Sequence, residues 1–111
     1  MVLRLDADRI TDWNSFHNVF AELLGFPGFY GRNMAAWIDC LTSLDEPADG
    51  MTTVHVEPPE VLTLHIDHAA AWSRRSPEMF RAMVDGAAFV NWRRLEMDQP
   101  PVIGLSYFEA Q

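Results

Sequence analysis

Few residues of this chain combine the types and spacing that chemistry needs, and His65, Asp67 and His68 come closest. On a strand His65 and Asp67 share a face, because side chains alternate, and both are metal-ligand types. His68 then starts the following helix, so the three make a candidate metal site and, with it, a small metal-dependent enzyme. The simpler reading leaves His65 facing solvent and His68 in a first helical turn. A nucleophilic triad needs Ser or Cys brought together with His and an acid. Those residue types are present, but no nucleophile elbow or other local signature marks them. Cys40 falls on the buried side of its helix and reads as an inert core thiol. His17, beside Phe16 on the first helix, reads as a packed or capping residue, and His55 carries no signal. Gly28-Phe29-Tyr30-Gly31 lacks the spacing and the following lysine of a phosphate-cradling loop. The carboxylates form no evident catalytic dyad.

A different chemistry, recognition of a partner, gathers around Asp39. The stretch from Phe26 to Asn33 is a loop rich in aromatics and glycine, and it feeds a helix running from Asn33 to about Leu44. Asn33 suits the N-cap, where its side-chain oxygen accepts from free N–H groups of the first turn. Met34, Trp37, Cys40 and Leu41 recur at spacings of three and four and bury together. Ala35, Ile38, Asp39 and Thr42 lie on the other side, with no long solvating side chain among them. Exposed apolar residues beside a lone charge, joined to Phe29 and Tyr30 in the loop, have the composition of an interface centre. The alternative is that Asp39 only caps or solvates its helix and that Ile38 packs beneath the loop after Leu44.

The elements that must position these residues follow from periodicity and punctuation. Val2-Leu3-Arg4-Leu5 suits a first strand. Thr11 or Asp12 caps a helix from Trp13 to Leu24, closed by Gly25 with Pro27 just beyond. Met51–Val56 has β-propensity and suits a short strand, broken by Glu57-Pro58-Pro59-Glu60. Val61–Ile66 alternates as a strand does, and Asp67 caps a short helix over His68 to Arg74. Ser76-Pro77-Glu78 starts another helix, with Phe80, Met83, Val84 and Ala87 on its buried face. Residues 88–96 either extend that helix, the favoured reading despite Gly86, or form a hairpin onto the last strand. That strand, Val102–Phe108, is the most hydrophobic and is expected to be central. Strands separated by helices imply crossover connections and a mainly parallel sheet.

A chain of 111 residues is one domain with a core that needs no staples. With 49% apolar residues it is no disordered segment. A single cysteine permits no intrachain disulfide and favours a reducing compartment. The N-terminus lacks the features of a signal peptide and no run is long enough to span a membrane, so a soluble, cytoplasmic protein is expected. The net charge of −8 argues against direct binding to nucleic acid. No arginine or lysine occurs between Arg32 and Arg74, an interval holding Asp39, Asp45, Glu46, Asp49, Glu57, Glu60 and Asp67. That interval is expected to be a source of negative potential that attracts a basic partner.

Leu24-Gly25-Phe26-Pro27-Gly28-Phe29-Tyr30-Gly31-Arg32-Asn33, followed by Trp37-Ile38-Asp39-Cys40-Leu41-Thr42, resembles the signature of the barstar family, intracellular inhibitors of the ribonuclease barnase. Phe16-His17 fits the same pattern. The resemblance is close over about the first 44 residues and weaker afterwards, where an insertion falls around residues 45–60. It implies an α/β fold over residues 1–111, a small, mainly parallel three-stranded sheet packed with helices, with an extra strand or hairpin left open. It also implies a non-enzymatic protein without cofactor, a bacterial immunity or antitoxin protein, that blocks the active site of a basic ribonuclease toxin. The loop 26–33 and the helix 33–44 make that contact, and Asp39 stands in for a substrate phosphate.

By position, Phe29, Asn33, Asp39 and Thr42 match contact residues of the family, and Tyr30 belongs to its loop. Ala35 stands where the type member has a second contacting aspartate, Ile38 and Leu44 replace contacting tryptophans, and Ser43 replaces a glycine. Asn91 falls near the family's acidic contact on the last helix. These departures fit a sister inhibitor tuned to another basic nuclease. The rival readings are an interaction module of the same fold with a non-nuclease partner, and the metal-dependent enzyme of His65, Asp67 and His68.

Overall fold

The computed structural model describes residues 1–109. Its elements are β1 (Val2–Asp6), α1 (Trp13–Leu24), α2 (Met34–Thr42), β2 (Leu62–Asp67), α3 (Ala69–Arg75), α4 (Pro77–Glu96) and β3 (Ile103–Ser106), with short 3₁₀ turns at Ala7–Arg9 and Pro47–Asp49. The strands form one parallel sheet in the order β1-β2-β3, with Leu3 opposite Leu64 and Leu62 opposite Ile103. The expected α/β architecture with helices as crossovers is therefore present. No helix among the described residues is long and apolar enough to cross a membrane.

The helix ends are set by local side-chain chemistry. Asp12 caps α1 by accepting from the Ser15 N–H at 2.7 Å, and the Ser15 hydroxyl accepts in return from the Asp12 N–H at 3.0 Å. Gly25 closes the helix with φ at 66°, and a Cβ there would collide with the Thr53 side chain. Asn33 caps α2 through its side-chain oxygen, which accepts from the Ala36 N–H at 2.8 Å. α2 then stops at Thr42, two residues short of the expected Leu44.

Four expectations are corrected. The central strand is β2, which alternates buried Leu62, Leu64 and Ile66 with half-buried Thr63, His65 and Asp67. β3 is an edge strand of four residues; the hydrophobic run around it places Val102 in the core before the strand and Tyr107 and Phe108 on the surface beyond it. Residues 51–56 form no strand. They run across the ends of two helices instead, with Thr53 N–H donating to the Leu24 carbonyl and Val56 N–H to that of Leu44, both at 3.0 Å. Asp67 ends β2 rather than capping α3, because its carboxylate is held by Arg4 at 3.3 Å. His68 takes the cap position in the left-handed region, with φ at 63° and no capping side-chain bond. Residues 88–96, by contrast, continue α4 as favoured.

Gly86 sits inside that helix for a packing reason. A Cβ there would meet Trp37 Cζ3 and Met34 Cε at 3.0 Å. The missing side chain thus lets α4 lie close against α2, which outweighs the poor helix propensity of glycine. Trp37, Leu41, Met83, Ala87 and Val90 belong to the single core that this approach seals.

Near the end of α4 a charge is buried in that seam. Arg94, 2% exposed, donates through Nε to the Pro100 carbonyl at 2.7 Å and through Nη1 to the Thr42 carbonyl at 2.9 Å. It meets Asp45 bidentately, Nη1 to Oδ1 at 2.9 Å and Nη2 to Oδ2 at 2.8 Å. Removing one partner of such a pair leaves the other buried and uncompensated, at a cost of about 3–5 kcal/mol. Arg94→Met should therefore lower unfolding free energy by about that amount in urea titration, and Arg94→Met with Asp45→Leu should recover much of the loss. A single-variant loss below about 1 kcal/mol would show that the pair behaves as a surface one.

Candidate partner-binding face

The loop before α2 is moored on α1. The Tyr30 hydroxyl and His17 Nδ1 lie 2.6 Å apart, and the Tyr30 ring packs on Phe26 with centroids separated by 4.6 Å. Burial holds His17 below the usual imidazole range, with Arg32 adding to the effect, and burial raises the Tyr30 phenol above its own. Both groups are thus neutral at pH 7, which suits a bond sunk beside the core. Arg32, at φ 53°, donates from Nη2 to the Asn14 carbonyl at 3.0 Å and to its side-chain oxygen at 2.7 Å. Between these two moorings Phe29 stands 76% exposed at the loop's tip.

α2 presents the expected outer face. Ala35 and Asp39 are exposed, while Ile38, Thr42 and Ser43 are half-buried, Ile38 resting against the core. The inner face holds Trp37, Cys40 and Leu41. Burial, with the Asp39 charge adding to it, pushes the Cys40 thiol up to about 11, so it stays protonated and inert.

Two residues expected at the interface are elsewhere. Leu44 is completely buried, since the chain turns inward after Ser43 and the Leu44 backbone carbonyl accepts from Val56. Asn91 uses its amide on the sheet. Its Nδ2 donates to the Ile103 carbonyl at 2.7 Å, and its Oδ1 accepts from the N–H groups of Val102 and Ile103 at 3.0 and 3.3 Å. It acts as one more rung at the edge of β3.

α4 also brings residues that were not anticipated. Arg93 reaches the outer face of α2, where Nη2 donates to Asp39 Oδ1 at 2.9 Å and to Thr42 Oγ1 at 2.7 Å. Asp39 is therefore not a lone carboxylate. Arg93 and Arg94 return in space to an interval that has no basic residue in sequence. Beside them Phe89 and Trp92 are exposed, with ring centroids 5.5 Å apart, and the Arg93 guanidinium carbon lies 5.9 Å from the Phe89 centroid. The helical spacing of Phe89, Trp92 and Arg93 was the available signal, once residues 88–96 are taken as helix.

The metal-ligand trio suggested by sequence is not assembled. His65 Nε2 lies 3.3 Å from Asp67 Oδ1, and His65 Nδ1 lies 3.0 Å from Ser106 Oγ, beside a cavity of about 480 Å³. His68 turns away, with Nδ1 at 2.9 Å from Asp6 and 3.3 Å from Asp8. Its hydrogen bond to Asp6, followed by the Asp8 charge, raises His68 above the usual range, and the same bond lowers Asp6. His68 thus sits between two carboxylates, whose charge favours a protonated imidazole. Ser106, His65 and Asp67 form a line of contacts along the ends of β2 and β3, and Arg4 holds the far side of the Asp67 carboxylate at 3.3 Å.

A family model described as Barstar (barnase inhibitor) matches residues 1–96, a span that includes the loop, α2 and the whole of α4. No curated protein matches the chain.

The two shifted histidines oppose each other in the pH dependence of stability. His17 has a folded value below its unfolded one of about 6.5, so acidification through that value protonates the unfolded chain first and stability falls. His68 has a folded value above it, so its contribution is complete below about pH 6.5 and is lost as pH rises through the folded value. Proton NMR should show the His17 midpoint below 6.5 and the His68 midpoint above it. His68→Gln should match wild-type stability at alkaline pH and fall behind it on acidification. A constant offset across the range would refute the assignment.

Proposed function

Because the chain belongs to the barstar (barnase inhibitor) family, we propose that it binds a basic ribonuclease and blocks its active site. The loop 26–33 and α2 form the contact, and the Asp39 carboxylate takes the place of a substrate phosphate. The observation that carries this reading is the position of Asp39. Its side chain is 58% exposed at the middle of a helix that Asn33 caps, whose inner face is packed in the core and whose preceding loop is moored to α1. Phe29 projects from the same loop as an apolar anchor.

The partner is a protein with a cationic pocket. A carboxylate on a preformed helix face offers oxygens where a phosphate would, and a net charge of −8 steers a basic protein toward it. The face differs in composition from the one the family resemblance describes. Ala35 contributes no charge, Leu44 is inside, and aromatic area comes from Phe89 and Trp92 on α4. These changes fit a nuclease whose pocket has an apolar rim on the α4 side. Within a bacterial cytoplasm such a protein would serve as the antitoxin to a ribonuclease toxin.

Purified wild type and Asp39→Asn should be compared as inhibitors of barnase and of other small basic ribonucleases. The variant should keep its circular dichroism spectrum and melting temperature, since an exposed ion pair contributes little to stability. Its inhibition of any nuclease that wild type blocks should weaken by about two orders of magnitude or more. Raising salt from 50 to 500 mM, chosen to shorten the screening length from about 14 to about 4 Å, should slow association steeply. An Asp39→Asn variant that inhibits as well as wild type would sink the reading.

A further inference from the structure

We infer that Arg93 is an internal stand-in for the partner's cation: in the free protein its guanidinium fills an acceptor pair on α2, Asp39 Oδ1 and Thr42 Oγ1, and it leaves when a guanidinium of the partner enters. This deepens the functional reading above and rests on it for the nature of the partner. The acceptor pair itself is a property of this chain.

The pair is built into the helix. Asp39 and Thr42 are three residues apart, so they share a face. The Thr42 hydroxyl donates its own proton to the Ile38 carbonyl at 2.6 Å, which leaves the oxygen as an acceptor turned toward the incoming group. A single nitrogen, Arg93 Nη2, meets both oxygens, at 2.9 and 2.7 Å. A cationic group whose N–H donors reach both oxygens, as a guanidinium nitrogen does, is therefore what this cradle accepts.

Arg93 is held less well than the cradle is made. Its Nε is buried without a hydrogen-bond partner. Its side chain is 34% exposed and that of Asp39 is 58% exposed, so water competes for both ends of the pair. The Arg93 guanidinium carbon lies 5.9 Å from the centroid of Phe89, a ring that is itself exposed on the surface. Arg94, one residue on, shows the contrast: there the guanidinium is buried and bonded through Nε, Nη1 and Nη2. Of the two neighbouring arginines, one locks the fold and the other occupies the site reversibly. Release of Arg93 also returns its orphaned Nε to water.

Arg93→Met keeps an unbranched apolar side chain and removes the charge. The Asp39 side-chain carboxylate carbon is followed by NMR in wild type, Arg93→Met, and Arg93→Met with Thr42→Val. Each is titrated with N-methylguanidinium chloride, and with tetramethylammonium chloride at equal ionic strength. Arg93→Met should show a saturable shift with methylguanidinium alone, with affinity about two- to fivefold higher than wild type, because the site no longer has an occupant. Adding Thr42→Val should weaken that response. Equal titration of wild type and Arg93→Met, or no preference for the guanidinium, overturns the inference. Against a ribonuclease that wild type inhibits, Arg93→Met should bind as tightly or up to about fivefold more tightly. A drop in affinity overturns the inference as well, since Arg93 would then remain in place and read an acidic group on the partner. Failure of wild type to bind any ribonuclease refutes the functional reading and leaves the small-cation titration to decide the stand-in role.

Discussion

The buried guanidinium of Arg94 is the constraint on which the rest of the arrangement depends. It joins four pieces of chain: the end of α2 through the Thr42 carbonyl, the following loop through Asp45, α4 through its own backbone, and the approach to β3 through Pro100. A helix C-terminus has unpaired carbonyls, and cations are favourable there. Arg94 supplies a charge and a donor together. The energetic consequence is asymmetric. The intact pair adds little over a hydrophobic replacement, but losing one half is costly. What the pair contributes is alignment: with Gly86 it sets how closely and in what rotation α4 lies on α2.

That rotation determines the surface. Successive residues on a helix point about 100° apart. When Arg94 is fixed inward, Arg93 is directed across α2 onto Asp39 and Thr42, and Phe89, one turn earlier, comes beside it. The loop on the other side of α2 is fixed by separate means, the Tyr30–His17 bond and the Arg32–Asn14 clasp. Both flanks of the candidate interface are thus ordered by side chains committed to the core or to neighbouring helices. Ordering in advance lowers the entropy that association would otherwise have to overcome.

Signals that act within one turn of helix were legible in the sequence. Asn33 as a cap, Gly25 as a stop, the inward set of Trp37, Cys40 and Leu41, and the inert thiol all follow from spacing and local hydrogen bonding. What could not be read depends on where distant segments meet. The arginine-free interval read as a source of negative potential, and two arginines about fifty residues further along the chain fold back onto it and pair with Asp39 and Asp45. Leu44 has the composition of a contact residue but follows the helix end, where the chain dives under residues 51–56. Asn91 has the polarity of an interface residue, but its amide completes the backbone pairing of β3, a role visible only when β3 lies beside α4. The centrality of β2 was hidden for a similar reason, since hydrophobicity summed along residues 102–108 takes no account of which of them are in the ladder.

Net charge and local charge act on different parts of an association. A charge of −8 summed over the molecule produces a field that extends beyond its surface and governs the encounter with a basic protein. At contact, within the few ångströms around Asp39, the guanidinium of Arg93 offsets the carboxylate. Long-range attraction and short-range selectivity are then set by different residues. Acidic groups remote from α2 accelerate arrival, while the exchange at Asp39 and Thr42 decides whether the arriving group is held. A cation without N–H groups gains less from this exchange than a guanidinium, because both acceptors are met by N–H bonds from one guanidinium nitrogen, at 2.9 and 2.7 Å. An internal occupant therefore raises the threshold for any cation that matches the cradle poorly. It does so without reducing the attraction that brings basic proteins to this face.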